Sequence, residues 1–229
     1  MFLLLLVLAS TPASAGSVVT ISCMSVVPWG DEQTQQGASC SFMDYVAREV
    51  GLTVKADVRP LARILEDLRN GTVELTMMVP LPERLEYAVS ICEPTRVTLA
   101  VAYFKNAGLS STTDMKVGVL RHSGVLDSFF DGGGQPVEIK DQTQGFMMLA
   151  AGRLDATFCG QPGCDSAIHR AGLDREDLSF TPIHDFPFGV LLSKKSPLAQ
   201  DHELLARLRA ACLTVQAVER LRVLIDQNE

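Results

Sequence analysis

RPLARILEDLRNGTVELTMMVPLPER, residues Arg59 to Arg84, sets a helix, a strand and a turn in one run. Leu61, Ile64, Leu65 and Leu68 recur at i, i+3, i+4 and i+7, the apolar stripe of a helix lying on a core. Pro60 opens that helix and Gly71 closes it, the usual asymmetry of helix ends. Residues 73 to 79 then read as a buried strand, and the chain turns through Pro80-Leu81-Pro82-Glu83-Arg84. Upstream, residues 18 to 26 read as a strand. Residues 40 to 50 read as a helix with Phe42, Val46 and Val50 on one face, and residues 53 to 58 as a second strand. Strands alternating with helices imply a parallel sheet covered by helices.

Downstream the alternation resumes. Strands are expected at 97–105, 116–120, 137–140, 155–158 and 187–193. Helices are expected at 124–130, 142–151 and 164–172, with two closing helices near 198–210 and 214–226. The two halves repeat one architecture without repeating sequence. The expected fold class is therefore α/β, with two lobes, each a mainly parallel sheet flanked by helices, joined by two extended crossings.

Composition narrows the function classes. The chain has 229 residues, 47% hydrophobic and 21% charged, with net charge -7. Disorder needs fewer apolar residues. A basic nucleic-acid surface is absent, so no nucleic-acid partner is expected. Residues 2 to 9 (FLLLLVLA), followed by small residues Ala13 and Ala15, have the pattern of a secretory leader cleaved after Ala15. That run is too short to span a bilayer, which takes about 20 apolar residues. The mature chain is expected to be exported.

Export favours disulfides over metal. The six cysteines are Cys23, Cys40, Cys92, Cys159, Cys164 and Cys212. Sequence leaves their pairing open, although Cys159 and Cys164 are close enough to close a small loop. His122, His169, His184 and His202 are too scattered for metal spacing. No metal and no cofactor are expected.

Ligands of open parallel sheets sit beyond the carboxyl ends of the strands. That rule selects Cys23–Trp29, Met78–Arg84, Arg121–Gly124 and Cys159–Pro162, two segments from each half. Arg84 offers a planar fork of donors suited to a carboxylate. Ser123 and Gly124 stand at an expected helix start, where free N–H groups attract anions. Arg121 adds positive charge nearby. The plainer reading of Arg84 is a surface pair with Glu83 or Glu86.

Several segments resemble the bacterial extracellular solute-binding proteins of family 3, the periplasmic amino-acid-binding type. They are VVPWGDE, RPLARILEDLRNGTVELTMMVPLPERLEYA, KVGVLRHSG, MLAAGRLDATF and FPFGVLLSKKSPL, in matching order along the mature chain. The resemblance implies lobe boundaries at 16–97 with 188–229, and 98–187 between. It implies a periplasmic, monomeric protein that captures a small carboxylate-bearing or amino-acid-like solute, with an ABC-type permease or a sensory receptor as its membrane partner. A few relatives on the scaffold are dehydratases, but only Asp31, Glu32 and His122 lie near enough to act as acid or base, and no catalytic residue is expected.

Carried over by position, Arg84 would hold the solute carboxylate and Ser123 and Gly124 would meet it from the other lobe. Trp29 is the nearest aromatic, since Val26 occupies the usual aromatic position. Cys23 stands where side-chain readers often lie, and Val79 where a hydroxyl is common. The stretch Cys159-Gly160-Gln161-Pro162 lacks the carboxylate that pairs with an α-ammonium, so the resemblance points to an acid without one. Gln161 would supply a hydrogen bond there. Arg63 is a further inward candidate, with a solvated helix face as its plainer reading.

Overall fold

The computed structural model describes residues 18–107, 114–121, 123–124, 130 and 134–228. The expected leader, His122 and residues 125–129 of the expected helix at 124–130 lie outside them.

Three strands open the chain: β1 (Val18–Met24), β2 (Thr53–Arg59) and β3 (Leu75–Met78). Helix α1 (Ala38–Glu49) joins the first two, and α2 (Leu61–Asn70) joins the second and third. β1 pairs in parallel with both β2 and β3. α2 buries Ile64, Asp67 and Leu68, so the Leu61–Leu68 stripe meets the sheet as its period requires. Gly71 ends α2 with φ 81, a left-handed conformation open to glycine. A short helix, α3 (Pro82–Leu85), follows β3.

The next strand, β4 (Ala88–Phe104), runs 17 residues. Then come β5 (Lys116–Leu120), β6 (Gln135–Ile139), α4 (Gln142–Ala150), β7 (Ala156–Gln161) and α5 (Cys164–Arg170). β5 pairs in parallel with β6 and β7. The 16-residue β8 (Leu178–Ser193) returns, and α6 (His202–Cys212) and α7 (Val215–Asn228) close the chain. The strand order is β2-β1-β3-β8-β4-β7-β5-β6. The expected strands 97–105 and 187–193 are thus parts of longer crossings. β4 and β8 pair with one another from Ala88↔Ser193 to Phe104↔Leu178.

Two lobes follow from this order. Around β1–β3 lies the larger core, where Phe42, Met43, Ile64, Leu68, Met77 and Leu191 pack with residues of α6 and α7. Around β5–β7 lie smaller clusters, one built on Phe146, Cys159 and Ile168 and one on Val101, Val117 and Phe158. Three disulfides bind these layers: Cys23–Cys40, Cys92–Cys212 and Cys159–Cys164. No helix of the described residues is long and apolar enough to cross a membrane.

Candidate functional site

Strand ends from both lobes meet at a cavity of about 100 Å³. Met24, Val26 and Trp29 line it from the end of β1 and its loop, and Met78, Val79 and Arg84 from the end of β3. Leu120 and Ser123 come from beyond β5, and Phe158, Cys159 and Gly160 from β7. Leu61, Val97, Leu99, Gln142, Phe186 and Phe188 complete the lining. All four segments selected by the strand-end rule contribute. Among the described residues the wall is apolar apart from Arg84, Ser123 and Gln142. Trp29 is 2% exposed and packs on Phe188, with ring centroids 4.2 Å apart.

Arg84 is 3% exposed. Its guanidinium donates from Nη1 to the Val79 carbonyl at 3.0 Å and from Nη2 to the Ser123 carbonyl at 2.6 Å. No ion pair among the described residues includes it. The surface pair with Glu83 or Glu86 is therefore not the arrangement here. Burial draws the guanidinium below its ordinary pKa, against the attraction of Tyr87 and Glu83. It remains charged, since arginine does not lose its proton in proteins. A buried cation with neutral carbonyl partners favours an anion beside it.

The other expected residues divide. Trp29, Val79, Ser123 and Gly160 stand at the cavity with Arg84. Gly124 lies one step outside, exposed, with φ 64; a Cβ there would sit 2.7 Å from the Glu83 Oε1 atom, so the two lobes pass close at this point. Gln161, half-buried, ends β7 beyond the cavity wall.

Three residues are placed elsewhere. Cys23 is fully buried and joined to Cys40, so its sulfur cannot read a solute. Arg121 extends into solvent and pairs with Glu138 at 2.8 Å. Arg63 pairs with Glu66 and Asp67 at 3.1 Å, on the solvated helix face that its plainer reading gave. Carboxylates at hand occupy both arginines, Glu138 for Arg121 and Glu66 with Asp67 for Arg63.

Gln142 escaped the sequence reading. It is the first residue of α4 and 6% exposed, and its Oε1 is buried without a hydrogen-bond partner among the described residues. Nothing local in the sequence marks it, because a glutamine at a helix start is ordinary. Beyond Gln142 the cleft widens into a polar chamber of about 320 Å³, where Asp31 pairs with Arg170 at 2.9 Å across the lobes. His122, an acid–base candidate, lies outside the described residues. No cluster of metal-ligating side chains occurs among the described residues.

This is the periplasmic-binding-protein fold, two α/β lobes crossed by paired strands with a cleft between them. The chain is similar to the GluR0 ligand-binding core from Nostoc punctiforme, solved with L-glutamate, at TM-score 0.76 and 12% identity over 91% of this chain and 98% of that one. It is similar to an ancestral arginine-binding protein bound to arginine, at TM-score 0.75 and 15% identity over 91% and 98% of the two chains. A histidine kinase sensor domain matches at TM-score 0.74 and 17% identity, over 92% and 95%. No protein-family model and no curated protein match the sequence.

Proposed function

We propose that the protein captures a small carboxylate-bearing solute between its lobes and does no chemistry on it. The observation that carries this reading is Arg84, a buried guanidinium beside an apolar cavity, with carbonyls as its hydrogen-bond acceptors. A solute carboxylate would complete its donors while the Met, Trp and Phe walls take up an apolar body. Ser123, Gly124 and Gly160 belong to the same site on this reading, and Gln161 to its margin. A solute touching both lobes only when they are closed stabilises the closed form.

The lobe boundaries fit residues 16–97 with 188–229 and residues 98–187, since the larger core draws on the first set and the smaller clusters on the second. We place the protein in the periplasm, cleaved after Ala15 and monomeric, with a permease of the ABC type as its partner. The arginine-bound and glutamate-bound neighbours support solute capture. The kinase sensor domain supports a second reading, in which the closed lobes signal to a receptor. Neighbouring genes for a permease and an ATPase favour the first, and a gene for a sensor kinase the second.

A thermal-shift screen against organic acids and amino acids tests the capture itself. A solute at about 100 times its Kd adds about 2.7 kcal/mol of stability. Shifts by carboxylates are expected, and a screen in which no carboxylate raises the melting temperature overturns the reading.

A further inference from the structure

Gln142 sits at the cavity with a side-chain amide that nothing local uses. Its neighbours secure the start of α4 instead. Asp141 Oδ1 accepts from the Gln144 amide at 2.8 Å, and Gln144 Oε1 accepts from the Lys140 amide at 2.6 Å. This reciprocal pair satisfies the helix start. It leaves Gln142 at the cavity wall, 6% exposed, with Oε1 buried and unpartnered among the described residues. Such an atom carries an unmet desolvation penalty until a donor reaches it.

Gly160 lies beside it on β7. A Cβ at Gly160 would lie 3.6 Å from Gln142 Nε2 and 3.0 Å from Val97. The amide thus lies over a strand position with no side chain, on the wall that also holds Arg84 and Ser123. Among the described residues the cavity lining includes Arg84 as its one cation and no carboxylate. An α-ammonium brought here would meet a fixed positive charge and only a neutral acceptor, which leaves its desolvation uncompensated. A hydroxyl asks for one neutral acceptor, which Oε1 provides.

We infer that Gln142 reads a hydroxyl on the solute, and that the preferred ligands are α-hydroxy monocarboxylates with a small apolar body. The carboxylate meets Arg84, the hydroxyl donates to Gln142 Oε1, and the apolar body packs against Trp29 and Phe188. This inference rests on the carboxylate-capture reading above and adds the group that selects among carboxylates.

Leucic acid, isocaproic acid and leucine share one carbon skeleton and differ at the α-carbon, which makes them suitable probes by calorimetry on the full chain. The wild type should bind leucic acid about tenfold or more tightly than the other two, the worth of one well-made neutral hydrogen bond. Gln142→Leu should bring leucic and isocaproic acid within about twofold while isocaproic acid keeps its affinity. Gln142→Glu supplies a carboxylate and should shift the preference to leucine. Circular dichroism would check that both variants fold. A wild-type preference for leucine, or an undiminished preference for leucic acid in Gln142→Leu, overturns the inference and leaves carboxylate capture standing. Binding of other carboxylates but of none of these three does the same. Failure of every carboxylate to bind removes the capture reading and the inference together.

Discussion

Arg84 Nη2 donates to the Ser123 carbonyl at 2.6 Å, joining the turn after β3 to the segment after β5. The residue best placed to hold an anion therefore also bridges the lobes. On the proposed reading, solute recognition and lobe closure meet in one guanidinium. Its second carbonyl partner, Val79, lies 3.0 Å away on the other side.

Arg84→Ala should weaken carboxylate binding by at least tenfold, because a desolvated carboxylate loses its charged partner. Arg84→Lys should also lose most affinity, since one ammonium cannot reproduce a planar fork that spans Val79 and Ser123. Isothermal calorimetry checks both. Unchanged affinity in Arg84→Ala would remove the residue from the site.

Gly163 should be sensitive to a single methyl group. Its φ is 122, and a Cβ there would lie 2.2 Å from the Val27 carbonyl in the opposite lobe. Gly163→Ala strains the backbone and also wedges the cleft open. Small-angle scattering with saturating solute should show a larger radius of gyration than for the wild type. An equally compact complex would show that the cleft closes without this approach.

Trp29 is the chain's single tryptophan and lies in the cavity wall on Phe188. Solute binding should change its fluorescence intensity or emission maximum in a saturable way. The midpoint should agree with calorimetry. A flat fluorescence titration alongside measurable heat would place the solute away from Trp29.

Asp31 gives the cleft a dependence on acid. Burial raises its pKa, but hydrogen bonds from Arg170 and from the Gln33 and Thr34 amides, with the Arg170 charge, outweigh burial and lower it. A carboxylate depressed in this way stabilises the folded arrangement above its ordinary pKa of about 3.9 and loses that contribution as pH falls through the lower folded value. The link to Arg170 should therefore hold at neutral pH and fail only in strong acid. Asp31→Asn should weaken solute binding modestly at pH 7, by about fivefold or less for a pair whose arginine is exposed. The wild type and this variant should converge only in strong acid, below the lowered folded pKa of Asp31, where both are neutral at this position. A difference that grows on acidification would contradict this assignment.

All six cysteines are paired, so thiol titration of the denatured, non-reduced chain should find none free. Cys92 and Cys212 lie 120 positions apart. On chain-entropy grounds, a loop on the order of 100 residues gains about 4.7 kcal/mol from its bridge. Replacing both by Ala should lower the unfolding midpoint in urea far more than replacing Cys159 and Cys164, which close a short loop. Equal losses would point to strain or packing as the source.

The first half of the fold was readable because its signals are local. Leu61 to Leu68 keep a helical period, and Gly71 carries the left-handed stop. The crossings were seen only in part. Glu93 and Pro94 interrupt the apolar pattern early in β4, and Pro182, His184 and Asp185 do so in β8. These stretches are strands because each pairs with the other, a distant contact that no local period records. The site divided in the same manner. The strand-end rule selected Arg84, Ser123 and Gly160, which line the cavity, through topology. It could not tell that Cys23 was committed to Cys40, or that Arg63 and Arg121 had carboxylates at hand. Gln142 was invisible because its character comes from what it lacks, a partner, and only packing reveals that.

The pairing of β4 with β8 also bears on how the molecule can move. Two separate linkers would let the lobes swing independently about several axes. Here the crossings are bonded edge to edge from Ala88↔Ser193 to Phe104↔Leu178, with register shifts at Ser90/Cys92, Cys92/Thr95 and Leu99/Ala100. Such a pair behaves as one ribbon with soft spots, which resists shear and yields to torsion. Opening is then a screw about the ribbon's long axis, with the irregular registers absorbing the turn. The cleft would part first along its outer rim, and the cavity beside Arg84, nearest that axis, would be the last place to admit water.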